Sequence, residues 1–122
     1  FQLDSVAHRR EHGIEVQLPI LHRLAPKTRV SAIAMHRGDV LELRSAANKL
    51  AKFLRTIPRP PMLVIRSDMN HFADDAENRR RDRMALEAMQ TLDPERLLLV
   101  CESNSISMCG LRPAVLVMMT LQ

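Results

Sequence analysis

Two short stretches hold side chains able to move protons or bind a soft cation. In "RSDMNHF", residues 66–72, Asp68 and His71 stand three residues apart, directly after the apolar run "MLVI". An imidazole at such a place carries a proton near neutral pH, and a nearby carboxylate orients it or holds it charged. The alternative is that Asp68 caps the next turn and His71 lies in water. In "ISMCGLRP", residues 106–113, Cys109 precedes Gly110, and Pro113 fits the opening turn of a helix. A thiol at a helix N-terminus feels the positive end of the dipole, which favours thiolate, the form that ligates metal or attacks an electrophile. Gly110 would let a metal or substrate approach the backbone closely. The competing reading makes Cys109 a small buried hydrophobe, the commonest fate of a lone cysteine.

A third stretch, "EHGIE", places Glu11 and Glu15 one helical turn apart with His12 beside them. It does not match the HExxH pattern of zinc helices. His8 and His12 share the i,i+4 spacing of a metal pair, but the helix start around them is weak, so an orienting role is expected rather than ligation. Cys101, inside an apolar helical stretch, reads as packing, and His22 and His36 as structural.

Elements must bring these groups together. Residues 8–24 place Ile14, Leu18, Leu21 and Leu24 near helical spacing, with Pro19 as a kink or a new start. "RVSAIAMH", 29–36, reads as a strand. Residues 39–57 form the clearest helix, capped by Asp39, with Leu43, Ala46, Ala47, Leu50, Phe53 and Leu54 on one face. "PRPP", 58–61, is a stiff connector. "MLVIRSD", 62–68, reads as a strand covered on both faces. A helix over about 74–91 carries Met84, Leu86, Ala88 and Met89 on its later turns. Asp93 and Pro94 open a short helix through "ERLLLVCES", "SNSISM" is a loop, and 110–122 is a buried helix. The order αβαβααα predicts an α/β layered architecture, a central sheet flanked by helices. Ligands in such folds collect at the carboxyl ends of strands, where Asp68 and His71 would emerge.

The totals narrow the class. A chain of 122 residues that is 46% hydrophobic and 26% charged can build one core, without Trp or Tyr and with three Phe. No apolar run approaches the roughly 20 residues of a membrane span. Two cysteines are too few for a disulfide scaffold, so a reducing, cytoplasmic setting is expected. The formal charge of +4 centres on "NRRRDR". There Asp74, Asp75, Glu77 and Asp82 interleave with Arg79, Arg80, Arg81 and Arg83, as on a solvated helix face. Without aromatic platforms for bases, no nucleic-acid partner is expected, and no membrane either. The first residue is Phe, no signal-peptide pattern follows it, and the chain reads as the product of truncation.

"AHRREHGIEVQLPIL", "LVIRSDMNHF", "LDPERLL" and "ISMCGLRPAVLVMM" resemble, in order and spacing, the Memo family, whose bacterial and archaeal members are called AmmeMemoRadiSam system protein B. The family pattern runs close to EHSxExxLPFL, then SSDxSHY at a strand end, then CGxxP opening a helix. Each motif alone is weak, whereas their order is specific, and the resemblance covers essentially the whole chain. Asp68, His71, Cys109, Gly110 and Pro113 match, as do Glu11, His12, Ile14, Glu15, Leu18 and Pro19. Gly13, Arg66 and Asn70 stand where the family has Ser, and Phe72 where it has Tyr.

The resemblance implies a fold like that of class III extradiol dioxygenases and a pocket holding iron or copper, with zinc possible. Cys109 would be a metal ligand and His71 and Asp68 the acid–base pair, with Glu11, His12, Glu15 and Gly110 around the pocket. The family's two histidine ligands come from segments before the "EH" helix. The chain is thus expected to be one partial domain, the carboxy-terminal half, incomplete at its N-terminus. Implied partners are a radical SAM protein, an AMMECR-type protein, and a small-molecule or peptide ligand. A metal-dependent oxidoreductase is one functional expectation; a non-catalytic binding or signalling module, or an inactive fragment, is the other.

Overall fold

The computed structural model of the chain describes residues 6, 8–9, 12–35 and 37–122. It forms two compact units, Phe1–His36 and Arg37–Gln122.

In the first unit, α1 spans His12–Glu15 and α2 spans Leu18–Leu24. The helix expected over 8–24 is therefore interrupted. Pro19 falls in the first turn of α2, where its missing N–H loses no helical bond, so the chain starts again there instead of kinking. Neither helix buries a residue.

The second unit begins with α3, Val40–Arg55. Asp39 and Glu42 form a capping box, each side chain accepting from the other's backbone N–H at 2.9 and 3.0 Å, which satisfies two otherwise orphan donors. Leu43, Ala47 and Leu50 are buried as the periodicity predicts, but Phe53 is exposed. Helix α4, Asp75–Gln90, is capped by Asp74, which accepts from the Glu77 N–H. Only its small residues Ala85 and Ala88 are fully covered, and Leu86 is exposed. Asp93 accepts from the N–H groups of Glu95 and Arg96 and, with Pro94 following, starts α5, Pro94–Ser103. Helix α6, Leu111–Leu121, packs against α3 and α5, and α5 packs against α4. The core is thus Leu43, Leu97, Cys101, Val115 and their neighbours, an aliphatic cluster around α6.

The expected α/β layering does not form. Among the described residues every regular element is a helix and there is no strand. A strand exists only through a ladder of hydrogen bonds to a second strand, and apolar content reports burial, not pairing. Residues 29–35 and 62–68, the two strand candidates, run without regular structure and lie in different units. The second is not covered on both faces either, since Met62 and Val64 are 81% and 70% exposed. Residues 66–71 instead run as a strap, joined through side chains to the loop before α6.

Candidate functional site

The strap reaches the loop through polar groups. Asn70 is the buried pin. Its backbone N–H donates to Asp82 Oδ1 on α4 at 2.8 Å, its side-chain Nδ2 donates to Asn78 Oδ1 at 2.6 Å, and its side-chain Oδ1 accepts from the Ser107 N–H at 2.9 Å. The next residue is held as well, with the His71 N–H donating to Ser107 Oγ at 2.7 Å. At the other end Gly110 N–H donates to Ser67 Oγ at 2.9 Å. The absence of a side chain at Gly110 matters here. A Cβ would lie 2.4 Å from Ser67 Cβ and 2.7 Å from the Arg66 carbonyl oxygen. The close approach that the sequence pointed to is made by the chain's own strap, not by a ligand.

This docking brings Asp68, His71 and Cys109 together. The Cys109 thiol lies 2.6 Å from Asp68 Oδ1, and His71 Nε2 lies 2.6 Å from Asp68 Oδ2, so one carboxylate is clasped from both sides. His71 Nδ1 faces the Ser107 carbonyl at 3.0 Å. Both ring nitrogens have an acceptor within reach, which the doubly protonated imidazolium serves with two N–H groups, and the Ser107 hydroxyl lies 3.3 Å from Nδ1 as a further partner. The Asp68 bond is the main cause raising the His71 pKa above its ordinary 6.5, and the Ser107 carbonyl adds to it. The hydrogen bond from Cys109 and then that from His71 hold the Asp68 carboxyl far below its ordinary 3.8. The site stays open to water, for the side chains of His71 and Asp68 are 34% and 47% exposed.

Arg66 completes the cluster. Its Nη1 donates to Asp68 Oδ1 at 2.7 Å and lies 3.4 Å from Cys109 Sγ, while the Asp68 N–H reaches the sulfur at 3.3 Å. Beside His71, Phe72 takes a positive φ of 65° and is fully exposed, its ring centroid 5.6 Å from the imidazole. A groove of about 480 Å³ along α4, lined by Arg79, Asp82, Arg83, Leu86, Glu87 and Gln90, contains none of the three clustered side chains.

The remaining expected residues lie elsewhere. His12 and Glu15 pair with each other in the first unit, Nδ1 to Oε2 at 3.1 Å, on exposed surface. Glu11 and His36 lie outside the described residues, and His8 and His22 join no metal-binding group. Cys101 is buried, and burial pushes its thiol up to about 11, an inert packing role. The arginine cluster is largely paired within α4: Arg79 with Asp75, and Arg80 and Arg81 with Glu77.

The described residues do not make a metal site by themselves. No group of three or more His, Cys, Asp or Glu among them could hold one. Around a tetrahedral metal, with bonds of about 2.3 Å to sulfur and 2.1 Å to oxygen, the two donors sit about 3.6 Å apart. Cys109 Sγ and Asp68 Oδ1 are 2.6 Å apart, closer than two ligands of one metal sit. His71 Nε2 is engaged by Asp68, and a guanidinium lies against both other donors. Arg66, Ser107 and Asn70 are the residues that sequence reasoning missed as partners. The signal available was that Arg66 and Asn70 flank Asp68 and depart from the family pattern.

Comparison with known proteins gives a consistent answer. The family model described as Memo-like protein matches residues 1–122. A MEMO1 family protein of Aquifex aeolicus is 33% identical over 113 residues, covering 92% of this chain and 42% of its own length. One from Sulfurisphaera tokodaii is 32% identical over 121 residues, covering 96% and 42%, and one from Thermotoga maritima 31% over 107, covering 88% and 38%. The chain thus spans about two fifths of the length of these curated relatives. No solved structure matches it.

Proposed function

The chain belongs to the Memo-like protein family, and from that premise we propose that its strap and loop supply the acid–base part of an oxidoreductase pocket acting on a small molecule or peptide. The observation that carries this reading is the Asp68 carboxylate clasped between the Cys109 thiol and the His71 imidazole, 2.6 Å from each. His71 is the proton donor. Asp68 and the Ser107 carbonyl keep it charged and fix the ring, and its open face lets a substrate reach it. Cys109 orients the other carboxylate oxygen and offers an exposed sulfur beside it. In the whole protein the pocket would serve a redox or modification step beside a radical SAM partner and an AMMECR-type protein.

Oxygen uptake by the full-length protein with catechols and related aromatics tests this. General acid–base catalysis contributes about 10²–10⁴-fold, so His71→Gln should lower any uptake by at least about 10²-fold with the fold intact. No uptake with any such substrate would remove the oxidoreductase reading. The second reading, a binding module, would then stand on Phe72, a fully exposed aromatic held at a left-handed backbone position beside the cluster. For a non-Gly aromatic residue that conformation is uncommon, and it turns an apolar ring outward where solvation alone gives no reason to.

A further inference from the structure

A carboxylate and a thiol sulfur approach closely, and the cation that lies against both is the Arg66 guanidinium. One nitrogen, Nη1, serves both contacts, at 2.7 Å to Asp68 Oδ1 and 3.4 Å to Cys109 Sγ. A guanidinium keeps its charge at every pH a protein meets, and it is tethered to the chain, so unlike a metal it is not lost to dilution or chelation. Its position is built into the fold. The Arg66 carbonyl sits in the space a Gly110 Cβ would fill, and Ser67, the next residue, bonds the Gly110 N–H. The backbone that carries Arg66 is thus seated on the backbone that carries Cys109.

We propose that Arg66 is the resident cation of the Asp68–Cys109 pair: the guanidinium takes the place of a metal, and the pair binds none while Arg66 is present. Arg66 is a positioning residue here. It sets the separation of sulfur and carboxylate, and thereby the oxygen left facing His71. Removing it frees two donors of different softness that a divalent ion can bridge once they move apart. This inference uses the same side chains as the proposed function but not the reaction, because its test is read without substrate.

Cobalt(II) added to the full-length protein reports sulfur ligation directly, through thiolate-to-cobalt absorbance in the near ultraviolet. The wild-type protein should match Cys109→Ser, with no band owed to Cys109. Arg66→Ser should gain that band, saturating at one cobalt per chain, and the Arg66→Ser/Cys109→Ser double variant should lose it. Arg66→Met, similar in length and uncharged, should gain it too and serves if the serine variant does not fold by circular dichroism. A wild-type band that Cys109→Ser abolishes would overturn the proposal. Silence of the folded Arg66 variants would overturn it equally, because something other than the guanidinium would then keep the metal out.

Discussion

The helical core around α6 and the strap over its N-terminus are built on opposite principles. Leu43, Leu97 and Val115 are held by apolar burial, which is additive, non-directional and insensitive to pH. The strap at 66–71 is held by Asn70, Ser67 and the Asp68 clasp, each bond directional and each requiring a particular partner in the loop at 107–110. Around the strap the apolar residues Met62, Val64 and Phe72 face solvent. The lesson is that one small unit separates its functions, with stability in the aliphatic layers and chemistry in a polar seam laid across them. Substitutions in the two regions should therefore fail in different ways.

The largest effect is expected in the core. Leu97→Ala removes a side chain with no solvent exposure and should cost about 2–5 kcal/mol in chemical denaturation, the range for a buried leucine leaving a cavity. In the molecules that remain folded, the His71 titration should not move. A shifted titration in that variant would mean that core and seam are coupled and would break the comparison.

A smaller cost and a larger local change are expected at the seam. Gly110→Ala places a methyl 2.4 Å from Ser67 Cβ, so the strap must shift, at about 1–3 kcal/mol for overpacking. Because Asp68 rides on the same strap as His71 while Ser107 stays on the loop, the part of the His71 shift that comes from the Ser107 carbonyl should be lost and the pKa should move part of the way back toward its ordinary 6.5. A fully stable Gly110→Ala protein with an unchanged titration would show that the close approach is not what positions the clasp.

Sequence reading reached some of this and not the rest, for physical reasons. The starts of α3 and α5 were legible because Asp39 and Asp93 cap them through bonds only two or three residues long. Helix α6 was legible from its apolar run. The segment 62–68 was not, since a sheet depends on a partner that local sequence does not display. Phe53 lies at the edge of the apolar stripe of α3, where periodicity alone cannot tell covered from uncovered. Asp68, His71 and Cys109 stood out by type and by family pattern. Arg66, Asn70 and Ser107 acquire their roles across 36 to 43 residues, and no local spacing announces such pairs.

The clasp also carries a pH signature. The Asp68 carboxyl is held below its ordinary 3.8, so its contribution to stability is present above that value and lost as pH falls through the folded pKa. His71 is raised above 6.5, so its contribution is complete below 6.5 and lost as pH rises through its own folded pKa. Both are fully present only between about 3.8 and 6.5.

The most direct test of the clasp is the titration of the His71 ring, followed by NMR in the wild-type protein and in Asp68→Asn, with the resonance assigned by its loss in His71→Gln. The wild-type midpoint should lie above 6.5 and should drop toward 6.5 in Asp68→Asn, where the uncharged amide no longer favours the imidazolium. Equal midpoints in the two proteins would mean that Asp68 does not hold His71, and the site described here would not exist.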